Sequence, residues 1–425
     1  MPFFSAIEGK SKSRPDSSKT YSCASCGLYR NVLSPKMQPY GKFKKGIMNI
    51  GEAPGETEDR RGRQWQGKMG SSVLRPMYEK LGIDLFEDCI NINAINCRPT
   101  SGKGNRAPTD QEIACCRSKV LKAIEEYKPK VIVLHGGAAV KSLIGYRWKK
   151  DLGGISKWRG WTIPDRDVNA WICPTFHPSH IDRQSKYKEV ETIWKQDLKR
   201  AFSMLDQPFP EMEDESRYIE YIKDQDHLNC VLESLALGES DLTCFDFETT
   251  GLKPHAKGHK IVCMSIAKGP KECYAFMMPN TRDQRVLLKR YFASMETGKI
   301  AFNMKFENNW AKRRLNATVK PWVWDGMLAA HVLDNREGIC SLKFQTYINF
   351  GVVDYDAHIA PYLKSKDPKS ANSFNRIFDF IDQYGEDELL KYCGLDSIYE
   401  YKLALKQMEQ LGVTFNINNI TQGKV

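Results

Sequence analysis

Residues 46–59, GIMNIGEAPGETED, run from a short apolar stretch straight into a turn rich in glycine and proline. The run 46–50 has the length and, Asn49 apart, the apolar character of a buried strand. The Gly51-x-x-Pro54-Gly55 turn that follows would bare backbone N–H groups at a sheet edge, with Glu52, Glu58 and Asp59 in reach of whatever binds there. Three more stretches outward from it fit strands: 89–95 (CININAI), 131–134 (VIVL, before Gly136-Gly137) and 171–176. Helical patterns lie between them at 72–81 and 109–127, the second opened by a Thr109/Glu112 capping box. Strand–helix alternation of this kind predicts an α/β/α sandwich with a mostly parallel sheet over residues 21–205.

The stretch 206–216 (DQPFPEMEDES) carries two prolines and several acids with almost no apolar periodicity, which marks a linker. A second α/β unit is expected over 217–425, with strands at 242–247 and 260–266 and an exposed polar loop at 362–375. Residues 1–20 fit a polar, disordered or extended tail. The two halves share no internal repeat.

A formal net charge of +11 and a pI near 8.9 favour a polyanionic partner such as DNA. No apolar run approaches the roughly 18–20 residues that span a bilayer, and the start lacks a signal-peptide core. The expected setting is a reducing cytoplasm, the protein's own or a viral host's. The 13 cysteines then need an explanation other than a disulfide framework. Cys173, Cys244 and Cys263 fit small core residues within apolar stretches.

In the first half, Trp65 stands between Gly62 and Gly67, where an aromatic on a tight loop can stack on a base. Asn93 offers one acceptor and two donor hydrogens, enough to read the imide edge of uracil. His177-Pro178-Ser179 follows the fourth strand at the same rim. Cys23-x-x-Cys26, Cys97 and Cys116 make a set of four thiols, and spacing alone suits zinc and an iron–sulfur cluster alike.

In this order the pieces resemble the family 4, iron–sulfur, uracil-DNA glycosylases. The resemblance implies a 4Fe–4S cluster on Cys23, Cys26, Cys97 and Cys116, with Cys116 chosen over Cys115 by alignment. It further implies that a flipped uracil is bound by Trp65, Asn93 and Glu58 and its glycosidic bond cleaved with Glu52 and His177. His177 would stabilise the departing anion; Glu52 or Glu58 would activate water or stabilise the sugar cation. Trp65 stands where the family carries phenylalanine and Gln64 replaces its proline, changes that bear on pocket width.

In the second half, Asp246-Phe247-Glu248 sets two carboxylates at i and i+2, on one face of a strand. Asn303-Met304-Lys305-Phe306-Glu307 follows a short apolar strand at 299–302 and opens a helix. Tyr392 and Asp396 lie one helical turn apart on a common face. Together these resemble the DEDD exonucleases, whose fold is an RNase H-like α/β domain with a mixed sheet. The tyrosine form of the third motif is similar to that of family A DNA polymerase proofreading domains. Residues 324–330 (WDGMLAA) look like a helix start of that family. The resemblance implies two Mg²⁺ or Mn²⁺ ions held by Asp246, Glu248, Glu307 and Asp396, with Tyr392 orienting the attacking water. Glu307 replaces the usual aspartate and carries its carboxylate farther by roughly one C–C bond.

The expectation is a DNA-processing enzyme that excises uracil and trims 3′ ends; a second reading makes the first domain a uracil sensor or DNA clamp. An exonuclease of this kind acts usefully when a growing 3′ end is handed to it. A separate DNA polymerase is therefore an expected partner beside DNA itself, and no membrane partner is expected.

Overall fold

In the computed structural model, residues 21–101, 104–367, 369–370 and 372–416 are described; the tail expected at 1–20 lies outside them. The chain forms two compact units, one of residues 21–146, 158–162 and 170–208 and one of residues 147–157, 163–169 and 209–416. No helix among the described residues is long and apolar enough to cross a membrane.

In the first unit, β1 (Ile47–Gly51), β2 (Cys89–Asn93), β3 (Val131–His135) and β4 (Ala170–Thr175) are mutually parallel in the order β2-β1-β3-β4. Every residue of the first three strands is buried, which is why they read as apolar runs without alternation. The polar exceptions satisfy one another. Tyr78 donates to Asn49 Oδ1 at 2.6 Å and meets His135 Nε2 at 3.1 Å, while Asn49 donates to Asn91 at 2.9 Å. Parallel register sets Gly51 beside Asn93 and His135 beside Thr175, so the carboxyl ends of all four strands share one rim. The predicted helix at 109–127 is α1 (Asp110–Tyr127), and both halves of its Thr109/Glu112 capping box are formed.

The second unit holds a six-stranded mixed sheet. Its strands are β5 (Ile219–Tyr221), β6 (Leu242–Thr249), β7 (Ile261–Gly269), β8 (Glu272–Met277), β9 (Gly298–Ala301) and β10 (Trp322–Asp325), in the order β10-β9-β6-β7-β8-β5. Pairs β6–β7 and β7–β8 are antiparallel, the others parallel. Phe245, Phe247, Met264 and Phe276 pack with helices 225–237 and 282–293 on one face. On the other face lies α2 (Glu386–Leu411), a 26-residue helix that contains the whole third motif. Ser265 pins it, its hydroxyl donating to the Cys393 carbonyl and meeting Ser397 Oγ, both at 2.7 Å. Gly394 permits the close approach, because a Cβ there would sit 2.6 Å from the Ile219 side chain.

The acidic stretch 206–216 ends in a buried anchor. Glu215 is 2% exposed and accepts from Arg166 at 2.7 and 2.9 Å, Lys402 at 2.9 Å and Tyr399 at 3.0 Å. Burial opposes its ionisation, but the Arg166 and Lys402 bonds prevail and hold its carboxyl down at about 2.

Candidate functional sites

The rim of the first unit gathers Glu52, Trp65, Asn93, His135 and His177. Gly51 is required there: a Cβ would lie 2.4 Å from Asn93 Oδ1 and 3.0 Å from Trp65 Cζ2. The indole ring of Trp65 stands 5.4 Å from His135 and 5.8 Å from His177, centroid to centroid. Its backbone is left-handed at φ 59°, a strained state for a bulky residue of the kind that gathers at binding sites. Three contacts hold that loop. Gly67 donates to Glu58 at 2.7 Å, Gln64 donates to the Gln38 carbonyl at 2.9 Å, and Gly70 leaves room for the Trp65 carbonyl.

The four acids of the GEAPGETED turn therefore part ways, Glu56 pairing with Arg60 and Arg98. Glu58 braces the Trp65 loop, and Asp59 accepts from the Leu33 and Ser34 amides at 3.1 and 2.8 Å. The Glu52 carboxylate makes no hydrogen bond among the described residues, and burial raises it above the usual carboxylate range against the pull of Arg183.

His177 caps the short helix 178–183. Its Nδ1 accepts from the Ser179 amide at 3.2 Å and lies 2.8 Å from Ser179 Oγ, which leaves the ring proton on Nε2. Burial, with the Arg183 charge, brings His177 down to about 4, so at neutral pH it is an uncharged donor. His135 beneath Trp65 is likewise neutral, brought down to about 3 by burial and His177.

Cys23, Cys26, Cys97 and Cys116 line one cavity of about 180 Å³, with Cys115 beside them. The first two sit in a single helical turn with its own Ser22/Ser25 capping box. Backbone amides point at two of the sulfurs: Lys36 N to Cys97 at 3.2 Å and Asn96 N to Cys116 at 3.3 Å. Burial pushes the Cys116 thiol up to about 11.

In the second unit, Asp246, Glu248, Glu307, Tyr392 and Asp396 line one cleft of about 610 Å³, together with Lys343 and Glu400. Asp325 orders one wall. It accepts from the Asn303 and Met304 amides at 3.2 and 3.0 Å, fixing the helix that carries Glu307, and from Met327 at 2.9 Å, starting the next. Burial and the Asp396 charge push Asp246 up to about 7, and burial and Asp246 raise Glu248 and Glu307 well above the usual range. The Phe247 amide, between Asp246 and Glu248, faces Glu307 and lowers it slightly. Glu307 Oε2 is buried without a hydrogen-bond partner.

Sequence reasoning did not single out Lys343, Tyr355, Cys393 or Glu400. Lys343 pairs with Asp396, its ammonium 4.2 and 4.5 Å from the Tyr355 and Tyr392 ring centroids; Tyr355 donates to Asp396 at 2.5 Å. Glu400 is buried and accepts from the Cys244 thiol at 3.2 Å. Of the four, Glu400 had a readable signal, since it sits one turn beyond Asp396 on the same helix.

Residues 38–199 match the family model described as the uracil DNA glycosylase superfamily. A type-4 uracil-DNA glycosylase of Thermotoga maritima is 32% identical over 189 residues, which cover 44% of this chain and 92% of that protein. The N-terminal half of the chain belongs to the type-4 uracil-DNA glycosylase family. A type-4 uracil-DNA glycosylase of Sulfurisphaera tokodaii is 31% identical over 162 residues, covering 37% of this chain and 70% of that protein. Beyond the glycosylase unit, residues 219–411 match the family model described as 3′-5′ exonuclease. A DNA polymerase of Bacillus phage SP01 is 24% identical over 336 residues, covering 72% of this chain and 34% of that protein. The chain is a DNA-processing hydrolase that joins a type-4 uracil-DNA glycosylase domain to a 3′–5′ exonuclease domain.

Proposed function

We propose that the rim of the first unit excises uracil with Asn93, His177, Glu52 and Trp65 as its working residues. The observation that carries this reading is the His177–Ser179 contact. A neutral imidazole with its proton on Nε2 can donate to a uracil oxygen as negative charge builds there, without protonating the base outright. The Asn93 side-chain amide, free of other hydrogen bonds among the described residues, is available for the imide edge, and Trp65 for the ring face. Among the four turn carboxylates only Glu52 is uncommitted, Glu56 being paired with Arg60 and Arg98, which favours Glu52 for the water or the sugar cation. Glu58 acts through the loop it braces.

The four cysteines fit a 4Fe–4S cluster better than a zinc ion. Zinc–sulfur bonds of about 2.3 Å hold thiolates at most about 4.6 Å apart. Among the described residues, no three of these sulfurs come within 4.8 Å of one another. The cavity between them and the N–H groups aimed at Cys97 and Cys116 suit a larger anionic group. Its part here is structural, tying the Cys23–Cys26 turn to the loop after β2 and to α1.

In the cleft of the second unit, Asp246, Glu248, Glu307 and Asp396 would hold two Mg²⁺ or Mn²⁺ ions. The free Glu307 oxygen and the mutual repulsion of these carboxylates support a cationic occupant. Such ions, when bound, activate water and offset charge on the scissile phosphate. Tyr392 would orient that water, and Lys343, which pairs with Asp396 here, would be placed at the cleft to meet phosphate. The 3′ ends would be handed over by a separate DNA polymerase; the likeness of 72% of this chain to 34% of a phage DNA polymerase supports a link to DNA synthesis. The boundary between the two activities falls within 206–216.

The test is single-turnover uracil release by the full chain in EDTA. Wild type should make abasic sites, and Asn93→Ala and His177→Ala should each be slowed by about 10²–10³-fold. EDTA should stop degradation of 3′ ends. Binding of uracil-containing DNA with no abasic sites formed would overturn the excision reading.

A further inference from the structure

The cleft of the second unit is lined by five carboxylates, Asp246, Glu248, Glu307, Asp396 and Glu400, against two lysines, Lys343 and Lys364. Lys343 is paired with Asp396, and divalent ions held there would be largely neutralised by the same carboxylates. Such a cleft can seat one phosphate but offers little attraction to the rest of a polyanionic strand. That attraction has to come from beyond it.

Three segments that leave the cleft walls can supply it. Residues 250–260 (TGLKPHAKGHK) run on from β6, and residues 311–320 (AKRRLNATVK) from the helix that carries Glu307. Residues 372–378 (NSFNRIF) include Ser373 and Asn375 of the cleft lining. None of the three contains an aspartate or glutamate. Lys253, Lys257, Lys260, Lys312 and Arg313 are exposed, and none makes an ion pair among the described residues.

The segments are joined to one another. Arg314 donates to the Ala256 carbonyl at 2.5 Å, which brings the 312–314 turn against the 250–260 loop. The buried His259 donates from Nε2 to the Asn372 carbonyl at 2.9 Å and stacks on Phe374, centroids 4.2 Å apart. The Lys260 ammonium lies 4.6 Å from the Phe378 ring centroid. Unpaired cations alone are an ordinary solvated surface. Here two rings are fixed among them, Phe374 42% and Phe378 41% exposed. Charge for a backbone beside open faces for bases is the combination that holds a single strand.

We propose that these cations, with Phe374 and Phe378, form a track that grips single-stranded DNA on the 5′ side of the nucleotide in the cleft. This rests on the reading of the cleft as the exonuclease centre and adds a length preference to it. A strand long enough to leave the cleft is held by the track, whereas a substrate that ends inside the cleft is not.

The full chain, purified without oxygen, is assayed in Mg²⁺ on a long, uracil-free single strand and on the p-nitrophenyl ester of thymidine monophosphate, which fits within the cleft. Beside it is the variant carrying Lys253→Gln, Lys257→Gln, Lys312→Gln and Arg313→Gln. Single strands release about 0.7 counterion per phosphate neutralised, so the slope of log KM against log salt should fall by about 2–3 for the long strand. With the two lines meeting near ~1 M salt, KM at ~0.1 M should rise by about 10²-fold while kcat holds. The small ester should show the same kcat/KM in both proteins. Phe378→Leu keeps every charge and should raise KM for the long strand by about 10-fold with the salt slope unchanged. An unchanged KM and slope in the four-site variant overturns the proposal and leaves the cleft reading standing. An equal loss on strand and ester overturns it too, because the effect would then lie in the cleft. Wild type that degrades neither substrate overturns the exonuclease reading along with it.

Discussion

Replacing Asp246 by asparagine should abolish the exonuclease and, without metal, make the protein more stable. Burial and the Asp396 charge move the Asp246 carboxyl from 3.8 to about 7. At about 1.4 kcal/mol per pH unit, that displacement corresponds to about 4 kcal/mol. Asp246 is partly exposed at the cleft, so water screening reduces the figure to about 2–3 kcal/mol. The unfolded chain ionises this group near 3.8, whereas the folded cleft keeps its proton until about 7. Between those values the folded state binds the extra proton, so stability falls as pH rises, and the whole penalty stands above pH 7. Urea unfolding in EDTA, followed by tryptophan fluorescence, should show Asp246→Asn ahead of wild type by about 2–3 kcal/mol at pH 8. At pH 4 the two should nearly coincide. Mg²⁺ should stabilise wild type at pH 8 and the variant much less, because the variant has lost a ligand. A variant no more stable than wild type at pH 8 in EDTA would refute the reasoning, for the carboxylates would then not be repelling one another.

Protein purified without oxygen should be brown and contain iron, and Cys97→Ser should lose both; zinc without iron in fresh wild type would remove the cluster. Glu215→Gln should destabilise the second unit by about 2–3 kcal/mol at pH 7, since its carboxyl is held at about 2 against an ordinary 4.5. That contribution is full above pH 4.5 and fades as pH falls toward 2, so urea midpoints of wild type and variant should converge in acid; coincident midpoints at pH 7 would count against it. Glu307→Asp withdraws the carboxylate by about 1.5 Å and should slow Mg²⁺-dependent degradation of 3′ ends by about 10²-fold. An undiminished rate would mean that the helix shifts to restore contact.

Local chemistry made much of this protein legible from its sequence. Short runs at 47–50, 89–92 and 131–134, apolar but for Asn49 and Asn91, fit strands of a sheet buried on both faces, and they form the parallel core. Asp246 and Glu248 at i and i+2, and Tyr392 and Asp396 at i and i+4, share a face by backbone periodicity alone, and all four line one cleft. The Thr109/Glu112 cap is equally local. Tertiary structure decided what periodicity does not reach. Which acid of the GEAPGETED turn is free depends on a glycine amide nine residues beyond Glu58 and on two amides at 33 and 34 that occupy Asp59. The tautomer of His177 depends on how helix 178–183 begins. Lys343 reaches Asp396 across 53 residues of sequence, and Cys393 meets Asp246 across 147. Those pairings arise because a helix laid across a sheet brings together side chains whose separation along the chain carries no signal, and the charge and ligand properties of the cleft are set by them.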